Sequence, residues 1–376
     1  MSEGTVQRGL EDVVALESKI CFIDGKEGRL IYRGYDVRDL AKNATFEEVA
    51  YLLWYGRLPS ALQLSHLLDR MRELRALPPG VREALGRLPP ETTPMDALRT
   101  AVSLFASYAP EETRADGTAI GGAMHLTAVL PTIISEFHRI RQGLAPLPVR
   151  PELSHAAHTL YLLTGHEGSP SDVRALEVAL ILHADHELNA STFAARVTAS
   201  TLSDLYSSVT SAIGTLKGPL HGGANQRVME MLRAIGAVDQ VEPVIREKLL
   251  RHERIMGFGH RVYKVEDPRA TILREYSKRL GQEKGNLLWY DLLAKVVEVV
   301  YREKRLYPNL DLYSGSVYTL LGIPDDLFTP LFAAARVSGW TAHVLEEYSD
   351  LRLIRPVAEY TGSIGLPYVA LADRRG

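Results

Sequence analysis

Residues 217–232 read Lys-Gly-Pro-Leu-His-Gly-Gly-Ala-Asn-Gln-Arg-Val-Met-Glu-Met-Leu, a turn that passes directly into an amphipathic helical pattern. Apolar residues recur at helical spacing in its second half, which predicts a helix beginning near Ala224. The two glycines allow backbone angles that other residues avoid, and they leave room for a ligand beside His221. The positive end of a helix disfavours an imidazolium, so we expect a neutral His221 that donates a hydrogen bond. On this stretch alone, a histidine that closes an ordinary turn is the alternative.

Two later stretches supply further groups of the same kind. Residues 256–269 read Met-Gly-Phe-Gly-His-Arg-Val-Tyr-Lys-Val-Glu-Asp-Pro-Arg, so His260 is also framed by glycine. Residues 309–315 read Asn-Leu-Asp-Leu-Tyr-Ser-Gly and place Asp311 in a segment that resembles a loop. Two histidines and a carboxylate can form a general acid/base set where a fold brings them together. The spacing does not show whether these three side chains meet.

Another pair of histidines ends a segment that is apolar on nearly all sides. Ser169 and Pro170 predict the start of a helix, and the apolar residues up to 182 indicate a central position for it. His183 and His186 then follow at a spacing of three, which suggests a zinc site. Neither the three-ligand set of a catalytic zinc site nor the second histidine of a zincin helix is evident. A pair of hydrogen-bonded core histidines is the simpler alternative.

The composition is that of an ordinary globular protein. The 376 residues are 46% hydrophobic and 24% charged, with a net charge of −3, which gives no reason to expect nucleic acid or membrane as a partner. The single cysteine, Cys21, predicts a small buried hydrophobe and fits a reducing cytoplasm. The N-terminus lacks the pattern of a secretory signal. Residues 117–135 carry no Asp, Glu, Lys or Arg, and we expect them to form a buried helix, with a subunit interface as one place for it.

The remaining patterns indicate an all-α protein with one small β element. Residues 20–25 and 29–34 read as two short strands around a glycine-containing turn, and from Tyr35 the pattern becomes helical. Capping-box spacing at 45–48 and 60–63 predicts two helix starts. Asp267 and its following proline predict another. We expect further long helices over 287–305 and 331–347, and we find no internal repeat.

The ordered series of motifs resembles the citrate synthase family. The matching segments are residues 31–35, 183–192, 219–222, 257–261, 267–269, 309–311, 339–343 and 355–356. The resemblance extends from about residue 20 to about residue 362. It implies the citrate synthase-like two-domain helical fold. Residues 1–221 and 323–376 would then form a large domain, and residues 222–322 a small domain that closes over the active site.

The resemblance also implies a reaction. A citrate synthase condenses acetyl-CoA with oxaloacetate and hydrolyses citryl-CoA to citrate and CoA, at the entry to the tricarboxylic acid cycle. By that resemblance Asp311 is the base, neutral His221 donates to the thioester oxygen, and His260 donates to the ketone oxygen. A 2-methylcitrate synthase acting on propionyl-CoA is the nearest alternative, because one methyl group changes binding by only ~1–3 kcal/mol.

The same resemblance places four residues around the two carboxylates of oxaloacetate: His186, Arg269, Arg336 and Arg355. Arginine offers paired N–H donors that match a carboxylate. Arg336 also follows three alanines inside an apolar helix, where an unpaired guanidinium would be costly, and this independently indicates an anionic partner. Because the counterpart of Arg355 reaches into the neighbouring subunit's site, the resemblance implies a homodimer, and we favour a simple dimer.

The segment Val262, Tyr263 and Lys264 lies where the family holds the adenine end of CoA, and Lys264 could meet a phosphate. Neither a P-loop nor a Rossmann fingerprint occurs in the sequence. We expect no metal and no cofactor beyond the CoA thioester itself, because the hydrogen-bond donors would perform the polarisation. A non-catalytic helical binding protein with the same fold and a zinc hydrolase are the hypotheses from other classes.

Overall fold

The N-terminal part of the chain forms the small β element that the sequence predicts. The computed structural model describes residues 6–10, 13–108 and 119–374. Three antiparallel strands pair in the order β1 (Cys21–Asp24), β2 (Arg29–Tyr32) and β3 (Tyr35–Asp36). The third strand lies where we expected helix to begin, so that boundary was wrong by two residues. Cys21 is buried, as predicted.

Helices make up most of the rest of the chain. In the described residues they are α1 (Val37–Asn43), α2 (Phe46–Tyr55), α3 (Ala61–Glu73), α4 (Pro79–Gly86), α5 (Pro94–Phe105), α6 (Ile120–Ile140), α7 (His155–Thr164), α8 (Pro170–His183), α9 (Ala190–Ala199), α10 (Leu205–Leu216), α11 (Ala224–Ile235), α12 (Val238–Leu250), α13 (Pro268–Glu283), α14 (Leu288–Lys304), α15 (Leu310–Leu320) and α16 (Phe328–Ser349). The predicted fold class, an all-α protein with a small N-terminal sheet, is confirmed.

Local capping interactions explain where several of these helices begin. Thr45 and Ser60 form complete capping boxes, with Glu48 and Gln63 respectively, at the starts of α2 and α3. The Asp267 side chain accepts a hydrogen bond at the start of α13, next to a proline in the first turn. Each of these starts was predicted from the sequence.

The centre of the molecule is formed by helices that are buried on almost every side. Helix α16 packs against α2, α6, α8, α9 and α10. Helix α6 alone, in the described parts of the chain, is long and apolar enough to span a membrane, and 78% of its apolar window is buried in the protein. It is therefore a buried helix, as the sequence predicted for 117–135, although residues 117 and 118 lie outside the described ranges.

The helices α11–α15 pack largely on one another, with α13 against α15, α12 against α14 and α11 against α15. Contacts of α13 and α15 with α8, and of α11 with α16, join this group to the rest of the protein. Three connections between helices carry the residues of interest. The α8–α9 connection bears His186, the α10–α11 connection bears His221, and the α12–α13 connection bears His260.

Candidate active site

One cleft of about 1140 Å³ collects the histidines and the carboxylate that the sequence singled out. His186, His221, His260 and Asp311 all line it, although they come from four different connections or helix ends. The α12–α13 connection supplies much of the remaining wall. The structure thus brings together the three proposed acid/base groups, which spacing alone could not show.

His221 is held in one tautomer by the start of α9. The backbone N–H of Ser191 lies 3.3 Å from His221 Nε2, and the Ser191 hydroxyl lies 2.8 Å from the same nitrogen. A backbone N–H can only donate, so Nε2 accepts and the proton of the neutral ring is on Nδ1. Burial, helped by the charge of Arg336, lowers the pKa of His221 to about 4. The ring is therefore neutral as predicted, but desolvation is the main cause and not the helix end.

The glycines beside His221 allow a close approach of the backbone. A Cβ on Gly222 would lie 2.2 Å from the carbonyl oxygen of Leu216, so a larger residue does not fit. Gly223 has a φ of +77° and precedes the first residue of α11, which begins at Ala224 as predicted.

His260 is fixed in the opposite tautomer. Its Nδ1 accepts from the backbone N–H groups of Val262 and Tyr263, at 3.0 and 3.1 Å. The proton of the neutral ring is therefore on Nε2. Burial is the main factor that lowers the pKa of His260 to about 4, and the positive charge of Arg269 adds to it. His260 can thus donate from Nε2 without carrying a charge.

Asp311 lies in the first turn of α15, where Asn309 caps the helix by accepting from the Asp311 N–H at 3.1 Å. We expected a loop at this position, and the helical turn corrects that expectation. Burial raises the pKa of Asp311 to about 6, against the opposing effect of Arg269 and Arg336. A carboxylate with a raised pKa is a stronger base than an exposed one and is still ionised at neutral pH.

The two histidines at the end of α8 do not form a pair. His183 Nδ1 lies 2.7 Å from the carbonyl oxygen of Ala179, and its ring packs edge-on against Phe332. His186 instead lines the cleft, 5.1 Å from the His260 ring, and its buried Nε2 has no partner in the residues that the structure describes. Burial, with the nearby positive charge of Arg269, lowers its pKa well below the ordinary value. Its free nitrogen is available to a ligand. No cluster of three or more potential metal ligands occurs in the same residues.

Two of the predicted arginines, Arg269 and Arg336, are buried behind this cleft: neither is among the residues that line it, but their charges affect the pKa of His186, which does. Arg336, 2% exposed, donates from Nε to the His183 carbonyl oxygen and lies over the Phe332 ring. Arg269 forms a two-pronged pair with Asp267, with distances of 3.0 and 2.8 Å. The sequence did not indicate that pairing, which holds the guanidinium in one orientation.

Arg355 is placed differently. It is exposed in the chain that follows α16 and is not among the residues lining the cleft of its own chain. Many large apolar side chains of this C-terminal segment are also exposed, for example Val357, Ile364 and Tyr368 at 87–89%.

The segment Val262–Lys264 is tied to the N-terminal sheet. The Lys264 N–H donates to the Gly25 carbonyl oxygen at 2.8 Å, and a Cβ on Gly25 would lie 2.3 Å from the Val262 carbonyl oxygen. Val262 lines the cleft, Tyr263 is buried beside His260, and Lys264 lies outside the lining. The β element thus positions one wall of the cleft.

Ser191 is a site residue to which we assigned no role from the sequence. Its hydroxyl accepts from Trp340 Nε1 at 3.1 Å and lies beside His221. Its position in the sequence could have identified it. Ser191 lies two residues after Asn189, the N-cap of α9, so its backbone N–H is one of the unpaired N–H groups at the start of that helix.

Comparisons with known proteins agree with this geometry. The family model "Citrate synthase, C-terminal domain" matches residues 9–357. Citrate synthase 2 of Bacillus subtilis is 50% identical over 98% of this chain and 100% of its own length. A 2-methylcitrate synthase of Shewanella oneidensis is 41% identical, covering 97% of each chain.

The fold comparison gives the same result. The ternary complex of citrate synthase from Thermoplasma acidophilum with carboxymethyl coenzyme A and oxaloacetate superimposes with a TM-score of 0.92 and 34% identity. It covers 98% of this chain and all of that one. From the matched family model, the relatives and the shared fold, the chain belongs to the citrate synthase family.

Proposed function

We propose that this protein condenses acetyl-CoA with oxaloacetate and hydrolyses citryl-CoA to citrate and CoA. One observation carries the proposal: two neutral histidines in defined tautomers and a carboxylate of raised pKa share one cleft. These are the groups needed to enolise a thioester and to stabilise the alkoxide that follows.

The first step removes a proton from the methyl group of acetyl-CoA. A methyl next to a thioester is a very weak acid, so a base alone cannot form a free carbanion. Asp311 takes the proton while His221 donates from Nδ1 to the thioester oxygen, where negative charge develops. The fixed tautomer of His221 supports this assignment, because Nδ1 is the nitrogen that carries the proton.

In the second step the carbon of the enol or enolate attacks the ketone carbon of oxaloacetate. His260 donates from Nε2 to the ketone oxygen as that oxygen becomes an alkoxide. Water then attacks the thioester carbonyl of citryl-CoA, and CoA leaves as the thiol. Uncharged imidazoles suit both donor roles, and burial keeps both rings uncharged.

Oxaloacetate would be held through its carboxylates and ketone by His186, Arg269 and Arg336. The buried Nε2 of His186, which has no hydrogen-bond partner in the described residues, supports this assignment, because a buried polar atom without a partner is costly. The buried positive charge of Arg336 supports it as well, because a charge held away from water favours an anionic partner. Arg355 would reach the site of a second copy in a homodimer. Its exposure and the exposed apolar side chains around it support such a docking of the C-terminal segment.

Val262, Tyr263 and Lys264 would contact the adenine end of CoA. Residues 222–322 would act as the small domain that closes over the cleft, which is supported by the mutual packing of α11–α15. We propose no metal and no further cofactor, because histidine donors supply the polarisation. We assign the protein to the cytoplasm, in keeping with its single cysteine.

Release of thiol from acetyl-CoA tests this function. We expect release that depends on oxaloacetate and that persists in the presence of chelators. Release without oxaloacetate, or none at all, would contradict a citrate synthase and favour a hydrolase or a binding protein. A parallel assay with propionyl-CoA separates the alternative raised by the Shewanella relative, since a much larger kcat/KM for propionyl-CoA would identify a 2-methylcitrate synthase.

A further inference from the structure

The connection that carries His186 also carries a fully buried carboxylate which does not line the cleft. Asp185 is 0% exposed, and its Oδ2 accepts from the Glu187 N–H at 3.0 Å, so the side chain bridges the two neighbours of His186. Glu187 has a φ of +54°, a left-handed conformation that a residue with a Cβ rarely adopts. The direction of His186 therefore depends on a strained turn that Asp185 holds closed.

The other oxygen of Asp185 faces helix α16. Asp185 Oδ1 lies 3.3 Å from His343 Nε2, and the His343 ring is 1% exposed. On the far side of the ring, Arg196 Nη1 lies 3.3 Å from His343 Nδ1. Arginine can only donate, so Nδ1 accepts and the ring proton is on Nε2, the nitrogen next to Asp185.

Arg196 is itself fixed by two carboxylates of α16. Its Nε donates to Glu347 at 2.8 Å and its Nη1 to Glu346 at 2.7 Å. A row of polar contacts thus runs from Glu347 through Arg196 to His343. The approach of His343 Nε2 to Asp185 Oδ1 extends it, and neither of these two buried atoms has a hydrogen-bond partner elsewhere in the described residues. Burial alone would raise the pKa of Asp185, but His343 and Arg336 outweigh it and the pKa is lowered, so the carboxylate is an anion.

Helix α16 and the turn around His186 lie so close together that no side chain fits between them at Gly339. A Cβ on Gly339 of α16 would lie 2.3 Å from the Ala184 carbonyl oxygen and 2.4 Å from Asp185 Oδ1. The Tyr32 hydroxyl donates to the Asp185 carbonyl oxygen at 2.8 Å and so fixes the turn to the N-terminal sheet. Helix α16, which carries Arg336, is therefore held against the turn that carries His186.

We propose that Asp185 and His343 are positioning residues that orient the His186 imidazole towards oxaloacetate. Neither residue touches the substrate; both act through the turn around His186. This inference rests on the proposed role of His186 in binding oxaloacetate.

The test is a double-mutant cycle between His186→Asn and His343→Leu, read as KM for oxaloacetate, KM for acetyl-CoA and kcat. We expect His186→Asn to raise KM for oxaloacetate, and His343→Leu to raise it roughly 5- to 50-fold with little change in KM for acetyl-CoA. In the double variant, His343→Leu should add almost nothing to His186→Asn. His343→Gln keeps an N–H donor near Asp185 and should restore most of the loss.

His158→Leu is the matched control, because His158 is also a 1% exposed core histidine but lies in α7, which supplies no residue to the row from Glu347 to Asp185. It should leave KM for oxaloacetate unchanged.

If His186→Asn has no effect, the role proposed for His186 is wrong and the inference falls with it. If His186→Asn acts but His343→Leu does not, or if the two effects add fully, only the inference is overturned. Should His343→Leu fail to fold, Asp185→Asn replaces it in the same cycle, with the same expected non-additivity.

Discussion

At the scale of single residues, burial determines the chemistry of the cleft more than any one neighbour does. It lowers the pKa of His221 and His260 and raises that of Asp311, because each group would have to carry its charge away from water. The result is two uncharged donors and one strengthened base at the pH of a cell. Backbone N–H groups then decide which ring nitrogen carries the proton in each histidine.

Replacing Asp311 by Asn should remove the base while preserving size and the position in α15. We expect kcat to fall by roughly 10²–10⁴-fold, the usual contribution of a positioned base. Oxaloacetate binding, measured by calorimetry, should remain, since the other proposed contacts are untouched. Circular dichroism checks that the variant folds. A variant with near-normal kcat would refute the assignment of Asp311 as base.

The rate should also follow the ionisation of Asp311. Its pKa is raised to about 6, and the base must be unprotonated to accept a proton, so kcat/KM for acetyl-CoA should rise as the pH increases through about 6 and then level off. His221 and His260 have pKa values of about 4 and stay neutral throughout that range. Steady-state rates measured from about pH 5 to about pH 8 give this profile. Activity that decreases with rising pH would show that a protonated group, and not Asp311, limits the reaction.

At the scale of elements, the site depends on how closely helices approach the connections that bear its residues. Helix α16 supplies Arg336 on one turn and touches the turn around His186 on the next, and Gly339 makes that approach possible. In the same way, Gly25, which follows strand β1, allows the backbone of the segment 262–264 to approach the N-terminal sheet closely. Small residues at these contacts therefore matter for function although they carry no reactive group.

Gly339→Ala should accordingly destabilise the protein. The added Cβ would lie 2.3 Å from a backbone oxygen, so α16 or the turn must move, at a cost of about 1–3 kcal/mol or more. We expect a lower Tm by calorimetry and a raised KM for oxaloacetate. Gly86→Ala in α4 is the control, since nothing lies within 4 Å of its added Cβ and alanine favours helix. Equal Tm values for the two variants would contradict the close approach.

At the scale of the whole molecule, one chain leaves part of the proposed site incomplete. Arg355 lies in an exposed C-terminal segment outside its own chain's cleft, among exposed apolar side chains. An exposed patch of this kind usually marks an interface. A second copy that supplies Arg355 across a two-fold axis would both cover the segment and complete the anion site.

Complementation between inactive variants tests that arrangement. Arg355→Ala and Asp311→Asn should each be nearly inactive alone. If Arg355 acts on the neighbouring site, a hybrid dimer contains one intact site, and co-expression of the two variants should restore roughly a quarter of the normal rate. Light scattering establishes the dimer in each preparation. If mixed dimers form and stay inactive, Arg355 does not act across the interface.

Most helices and strands and the list of reactive groups could be predicted from the order of the amino acids. Helix starts at Thr45, Ser60 and Asp267 follow from capping interactions within a few residues, which is why they were predictable. The two short strands around a glycine-containing turn were predictable for the same reason, because neighbouring residues specify them. The ordered motifs around His221 and His260 also identified the family without any knowledge of distances.

What these groups can do became clear from the three-dimensional fold. It showed that Asp311 begins a helix, that His183 and His186 separate, and that Arg269 is already paired with Asp267. It fixed each tautomer and raised the pKa of Asp311, because burial and hydrogen bonds come from residues far apart in the chain. Local patterns encode backbone conformation, whereas proton positions and charge depend on the neighbours that folding brings together.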